Sequence, residues 1–293
     1  MEIRVLEYFL ETAREMNMTR AAERLHISQP TMSKQLKELE EELGAKLFTR
    51  SSYSVKLTEA GMLLRERAED ILNLVEKTKE EFRSLDDLSQ GDIDIGAAES
   101  DSLRYFADIF RDLQKEHPRI RCNIYSGNMS DVCERLDKGL LDFAIVMSFV
   151  DLAKYNYLEI PASDTWGVVM RKDDLLAAQD EITVEQLYGL PLICSRQWLD
   201  QDFPHWFGDK GEEINIVATF NLSYNASVMV KSGIGYAVSY DKLTDTSPES
   251  DLTFRRLSGV SESKMYLIWR KYQTFTPVAK MLLHRLQSQI AKS

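Results

Sequence analysis

Near the start of the chain, apolar residues return every three or four places, the spacing that gathers one face of an α-helix. Val5, Leu6, Phe9, Leu10 and Ala13 form one such face. A second, short one holds Ala21, Ala22 and Leu25, with Thr19 placed to cap its first turn and the alanines small enough for another helix to approach. His26 and Ile27 make a turn. Ser28 is then placed to cap a third helix, and Pro30 sits in its first turn, where a missing N–H costs nothing. At roughly 100° per residue, Met32, Leu36, Leu39 and Leu43 of this helix fall together, while Pro30, Ser33, Lys34 and Lys37 gather opposite. One face is core; the other is polar and basic.

Two short helices, a tight turn, a β-wing and the start of a further helix across residues 19–61 predict a winged helix-turn-helix, a device for reading double-stranded DNA. The acidic second half of the third helix, residues 38–42, is repelled by phosphates, so its N-terminal half is the part that enters a groove. Gln29, Thr31, Ser33 and Lys34 are the readers: Gln pairs bidentately with adenine, and Ser or Thr with several base edges. Lys37, Lys46 and Arg50 suit phosphate contact.

Ala21, Ala22, Leu25, Ser28, Gln29, Pro30, Ser33, Leu39, Glu40, Leu43, Gly44, Leu47, Phe48, Arg50, Leu57, Thr58 and Gly61 resemble, in this order, the N-terminal signature of LysR-type transcriptional regulators. The resemblance implies a sequence-specific DNA-binding protein with a C-terminal effector domain, regulated by a small molecule and not an enzyme, and it extends more weakly over the remaining chain. One position departs. The wing of such proteins usually carries a second basic residue about three places after Arg50; here Tyr53 stands there and Lys56 is the nearest cation. More of the readout then falls on Gln29, Thr31, Ser33 and Lys34.

From Thr58 the pattern becomes one long helix, with Leu64, Ala68, Ile71, Val75, Thr78, Phe82 and Leu85 alternating four and three apart, the register of a coiled-coil seam. About 28 helical residues span roughly 42 Å, more than a small winged domain covers. Leu64, Ala68, Ile71, Val75 and Phe82 are therefore expected to pair with a second chain in a homodimer or homotetramer. The expected division is a DNA-binding domain at 1–58, a linker and dimerisation helix at 59–90, and an effector-binding domain at 91–293.

Strand and helix patterns then alternate: strand 92–97, helix 103–116, strand 120–125, helix 130–138 and strand 142–147, an α/β order with a mainly parallel sheet. A second set runs from 166 to about 254, including strand 191–194, helix 224–231 and strand 235–238, before strand 265–270 and helix 277–290. Two lobes, about 91–161 with 265–293 and about 162–264, joined by crossings near 160–163 and 262–264, would resemble the periplasmic-binding-protein architecture of the family's effector domain.

In open α/β sheets, ligands sit beyond the carboxyl ends of the strands, near helix N-termini. Those ends carry Ser100, Ser102, Asn128, Ser148, Phe149, Ser195 and Asn221, the candidate effector contacts. By resemblance, a Ser near 100–102 holds a ligand carboxylate. Glu99 and Asp101 work against a simple anion: either the effector carries an amine, or both side chains face solvent at a helix N-terminus. Trp198, Trp206 and Phe207 have a helical spacing that suits core packing, with a pocket wall as the other use.

Composition changes this picture little. The 293-residue chain is 44% hydrophobic, enough for two domains. Its net charge of −11 lies wholly beyond residue 58, since residues 1–58 carry nine Lys/Arg and nine Asp/Glu. Weak non-specific attraction to DNA places the burden on specific contacts. The first residues lack a secretory pattern and no apolar run is long enough to span a bilayer, so a cytoplasmic location without membrane contact is expected. Cys122, Cys133 and Cys194 are odd in number and widely spaced, which fits reduced thiols, with a redox sensor as the remaining reading. The four histidines are scattered, and no metal or other cofactor is expected beyond the effector. Gly233-Ile234-Gly235-Tyr236 lacks a third glycine and reads as a turn. The competing class, a cytoplasmic receptor or enzyme with an incidental helical N-terminus, requires a base beside the cleft serines, and the strand ends supply none.

Overall fold

Helix α1 (Ile3–Glu15) buries Leu6 and Phe9 against two further helices, α2 (Met18–Arg24) and α3 (Gln29–Leu43). These come from a computed structural model that describes residues 1–50, 55–84, 90–147 and 151–292, with only the backbone of Arg50, Ser84, Gln201 and Asp209. The chain forms two units, Met1–Arg83 and Ser84–Ser293.

In the first unit, Asn17 caps α2, its side-chain oxygen accepting from the N–H groups of Thr19 and Arg20 at 3.0 Å each. The cap expected at Thr19 is therefore corrected: Met16 leaves α1 with φ 48°, which delivers an extended Asn17 just ahead of α2. Ser28 caps α3 as expected, accepting from Thr31 N–H. Met32, Leu36 and Leu39 are buried, whereas Leu43 is 43% exposed. Glu40 takes the buried place at that end of the helix instead. Its carboxylate accepts from Leu47 N–H at 2.9 Å, Phe48 N–H at 3.3 Å and Lys46 Nζ at 2.8 Å, so a buried charge is fully partnered.

Strands β1 (Phe48–Arg50) and β2 (Val55–Leu57) pair antiparallel as the wing, with Phe48 opposite Leu57 and Arg50 opposite Val55. Tyr53 lies outside the described residues. Thr58 caps α4 (Glu59–Ser84), and Gly61 allows that helix to touch the wing: a Cβ there would lie 2.2 Å from the Leu47 carbonyl oxygen.

The apolar stripe of α4 divides. Leu64 and Ala68 are buried in the core of their own domain and Ile71 packs against it. The expectation that Leu64 and Ala68 face a second chain is corrected accordingly, since α1 and α3 present a hydrophobic surface for them. Farther along, Leu74 is exposed, Val75 half-buried, and Phe82 71% exposed.

The second unit holds two sheets. Strands β3 (Gln90–Ala97), β4 (Arg119–Ser126), β5 (Phe143–Met147) and β6 (Tyr155–Asp164), with helices α5 (Leu103–Glu116) and α6 (Met129–Asp137), build the first lobe. The second lobe comprises β7 (Trp166–Arg171), β8 (Glu181–Thr183), β9 (Leu192–Ser195), α7 (Arg196–Phe207), β10 (Ile216–Phe220), α8 (Ser223–Lys231), β11 (Tyr236–Tyr240) and β12 (Leu252–Ser258). The chain then returns through β13 (Ser263–Arg270) and α9 (Pro277–Ile290).

The first sheet has the order β4-β3-β5-β13-β6 and the second β10-β9-β11-β7-β12-β8. Both are mainly parallel, as expected, with one reversed strand each among the described residues: β13 in the first and β7 in the second. A chain that leaves the first sheet along β6 and re-enters along β13 lays those strands side by side in opposite directions, so β13 runs antiparallel to both β6 and β5. In the second sheet, β7 is antiparallel to β11 and β12. The crossings fall at Thr165 and at 259–262, and Asp164 and Ser263 face each other in register where the lobes meet.

Candidate functional site

The first candidate surface is the start of α3. With Met32, Leu36 and Leu39 turned into the core, Pro30, Thr31, Lys34 and Lys37 are exposed and Gln29 and Ser33 half-buried. Gln29 Nε2 rests 3.5 Å from Met18 Sδ, a weak contact that leaves the amide easily re-aimed. Thr31 and Ser28 hydroxyls lie 2.7 Å apart. Lys34 reaches toward Glu38 at 3.8 Å and Lys37 toward Glu41 at 3.4 Å, exposed pairs that water and salt weaken readily. Lys46 is tied to Glu40, and Lys56 is exposed on β2 opposite Thr49.

The second is a cleft between the lobes of the second unit, with a cavity volume of about 410 Å³. Asn128, Ser195 and Asn221 line it, as the strand-end argument expects. Ser148 and Phe149 lie outside the described residues. Ser100 and Ser102 are corrected: instead of facing the cavity, both hydroxyls donate to the Asp164 carboxylate, at 2.5 and 2.9 Å. The chain itself thus presents a carboxylate to the hydroxyls expected to hold a ligand's. Burial pushes the Asp164 carboxyl above its ordinary range, with the two serine bonds opposing that shift.

Glu99 and Asp101 separate. Asp101 is held by Arg104 and Lys242, both at 3.2 Å; burial raises its carboxyl, but these two cations outweigh it and hold it low. Glu99 lines the cleft, and its Oε2 accepts from Ser223 N–H, the first residue of α8, at 2.6 Å.

Trp166, Trp198, Phe220 and Tyr240 supply aromatic walls, and Asp202 a carboxyl. Trp198 is fully buried, so its helical spacing serves core and cavity together. Asp202 is 8% exposed, and burial pushes its carboxyl up to about 6, with nearby His205 opposing. Asp202, Gln197, Thr219 and Tyr240 escaped the sequence reading. The i, i+4 spacing of Trp198 and Asp202 on a helix begun by Ser195 is the signal that points to Asp202.

This arrangement holds a molecule rather than attacking one. Ser195 and Asn128 use their side-chain oxygens to cap α7 and α6, and Ser239 is buried on β11. Burial pushes the thiols of Cys122 and Cys194 up to about 12 and raises that of Cys133, which keeps all three protonated and slow to react. Among the described residues, no helix is long and apolar enough to cross a membrane.

Residues 3–62 match the family described as bacterial regulatory helix-turn-helix protein, lysR family, and residues 86–291 match the LysR substrate binding domain. HTH-type transcriptional regulator AlsR of Bacillus subtilis is 27% identical across 97% of this chain and 95% of its own length. A hydrogen peroxide-inducible genes activator of Pectobacterium carotovorum is 30% identical over 66% of this chain and 64% of its own. Full-length CbnR, solved in complex with its target DNA, superposes with a TM-score of 0.77 at 21% identity, covering 98% of this chain and 99% of that one.

Proposed function

The chain belongs to the LysR family of transcriptional regulators, a helix-turn-helix DNA-binding domain followed by an effector-binding domain, and we propose that it reads its operator through Gln29, Thr31, Ser33 and Lys34. It is a regulator and not an enzyme. The capped first turn of α3 carries this reading: Ser28 fixes where the helix begins, and the buried Met32, Leu36 and Leu39 fix which edge faces outward. Lys37, Arg50 and Lys56 then serve the phosphate backbone; Tyr53, the other expected contact, lies outside the described residues.

In this reading, residues 1–58 form the reader, 59–90 the linker helix and 91–293 the sensor. A second copy pairs along Ile71, Leu74, Val75 and Phe82, giving a homodimer or homotetramer with two readers for two half-sites. A small molecule in the interlobe cleft then shifts the equilibrium between two arrangements of the readers, as its difference in affinity for the two dictates. The protein acts in the cytoplasm. The three protonated thiols support an effector other than peroxide, despite the likeness to a peroxide-inducible activator. A gel shift on the DNA upstream of its own coding sequence tests the proposal: retardation at low salt that persists against excess unrelated DNA is expected, and no retardation overturns it.

A further inference from the structure

The chemistry of the effector can be read from which polar groups of the cleft are already partnered, and the inference rests on the cleft being the effector site. Helix N-termini ordinarily offer free N–H groups to anions. Here the three helices that open on the cleft are capped from within. For α6, Asn128 accepts from Asp131 N–H at 2.9 Å, and Gln197, from the opposite lobe, accepts from Met129 N–H at 3.3 Å. For α7, Ser195 accepts from Trp198 N–H at 3.0 Å. For α8, Glu99 fills the place with a carboxylate of its own. The indole Nε1 atoms of Trp166 and Trp198 are buried and without a hydrogen-bond partner among the described residues, so they are the two donors of the cleft walls left over.

The acceptors are in the opposite condition to the helix N-termini. Asp202 is more than nine-tenths buried, lines the cavity, and among the described residues receives no hydrogen bond. His205, on the same helix, is the group that opposes the upward shift of its carboxyl. The lysines nearby are engaged elsewhere, Lys242 with Asp101 and Lys264 with Glu159. Glu99 keeps Oε1 open, and Arg196 is exposed at the cleft rim. A buried carboxylate without a donor is costly, and a cation supplied by a ligand removes that cost. Aromatic walls suit the same cation, since ring faces attract positive charge.

We propose that the cleft binds a small molecule bearing a protonated amine, seated between Asp202 and Glu99 with its apolar part against Trp166 and Phe220. Simple carboxylates are disfavoured by the same geometry: a cap already occupies an N–H at the start of each of these helices, and two like charges face the cleft.

Calorimetry on the full-length protein with 2-phenylethylamine, 3-phenylpropanoate and 2-phenylethanol separates head-group charge on a common frame. The amine is expected to bind tightest, to lose about tenfold or more in affinity in Asp202→Asn, and to weaken less in Glu99→Gln. Asp202→Asn keeps the side chain's shape, and Glu99→Gln changes an exposed position, so at least one variant reports on a folded protein. Tighter binding of the carboxylate, no binding by any probe, or an amine affinity unchanged in both variants overturns the proposal. Thr219→Trp, which plugs the cleft, separates this from the underlying reading. Carboxylate binding abolished by the plug keeps the cleft and discards the amine, whereas amine binding that survives the plug discards the cleft.

Discussion

Glu99 of the first lobe accepts a hydrogen bond from the backbone N–H of Ser223 at the start of α8 in the second, at 2.6 Å. One acidic side chain therefore caps a helix it does not belong to and ties two sheets together. Glu99→Ala is expected to cost about 1 kcal/mol, the usual worth of a cap, and to speed hydrogen exchange at the first turn of α8. Unchanged exchange there would show that the contact does not hold the lobe.

Glu40 gives a pH dependence with a defined sign. Burial raises its carboxyl, but the bonds from Lys46, Leu47 and Phe48 outweigh burial and hold it below its ordinary value of 4.5. The stabilisation is then fully present above about pH 4.5 and is lost as pH falls through the lowered folded value. Glu40→Gln should destabilise the first unit by about 1 to 3 kcal/mol at neutral pH, with a difference that shrinks in acid. Exchange protection of the Leu47 and Phe48 amides measures both, and a pH-independent difference would contradict the assignment.

Readers and backbone contacts separate by sequence dependence. Gln29→Ala or Ser33→Ala should cost about 1 to 3 kcal/mol at particular base pairs, whereas Lys56→Ala should weaken binding evenly and flatten its salt dependence. Binding titrations over single-base variants of the operator distinguish the two patterns. Uniform loss from Gln29→Ala removes it from the readers.

Along α4, position decides the outcome. Val75→Asp or Phe82→Asp should shift sedimentation toward the monomer while leaving the helical content of the folded protein intact. Ala68→Asp places an unpaired charge in a core and should unfold the DNA-binding domain instead. A Phe82→Asp protein that remains fully dimeric would move the partner contact elsewhere.

The thiols should be quiet. With Cys122 and Cys194 pushed up to about 12 and Cys133 raised, alkylation of the native protein at neutral pH is expected to be slow, and peroxide should leave DNA binding unchanged. Rapid labelling of any of the three would refute this.

The reader was legible in sequence because its fold is local: Ser28, Met32, Leu36 and Leu39 are near neighbours, and helical period alone places them. Helix α5 (Leu103–Glu116) and helix α9 (Pro277–Ile290) were fixed at both ends by their apolar spacing and by Pro118 and Pro277. The cleft lining was legible only where a residue's place depends on its own strand end, as for Asn128, Ser195 and Asn221. Ser100 and Ser102 failed that rule because their partner, Asp164, stands 64 and 62 residues away, and no local pattern reports it. Asp202 was overlooked although it stands four residues after Trp198: α7 carries two acids, Asp200 exposed and Asp202 buried, and that spacing is the one local sign that separates them. Leu64 and Ala68 share one stripe with Phe82, and periodicity cannot say which part of a stripe already has a neighbour.

Glu40 has one further consequence. By holding the first strand of the wing to the recognition helix, it makes those two elements a single preorganised body before DNA arrives. The conformational entropy of aligning them is lost during folding rather than during association. Operator affinity then reports the quality of the contacts themselves, and a loosened Glu40 would appear as slower, less selective association even with every reader residue in place.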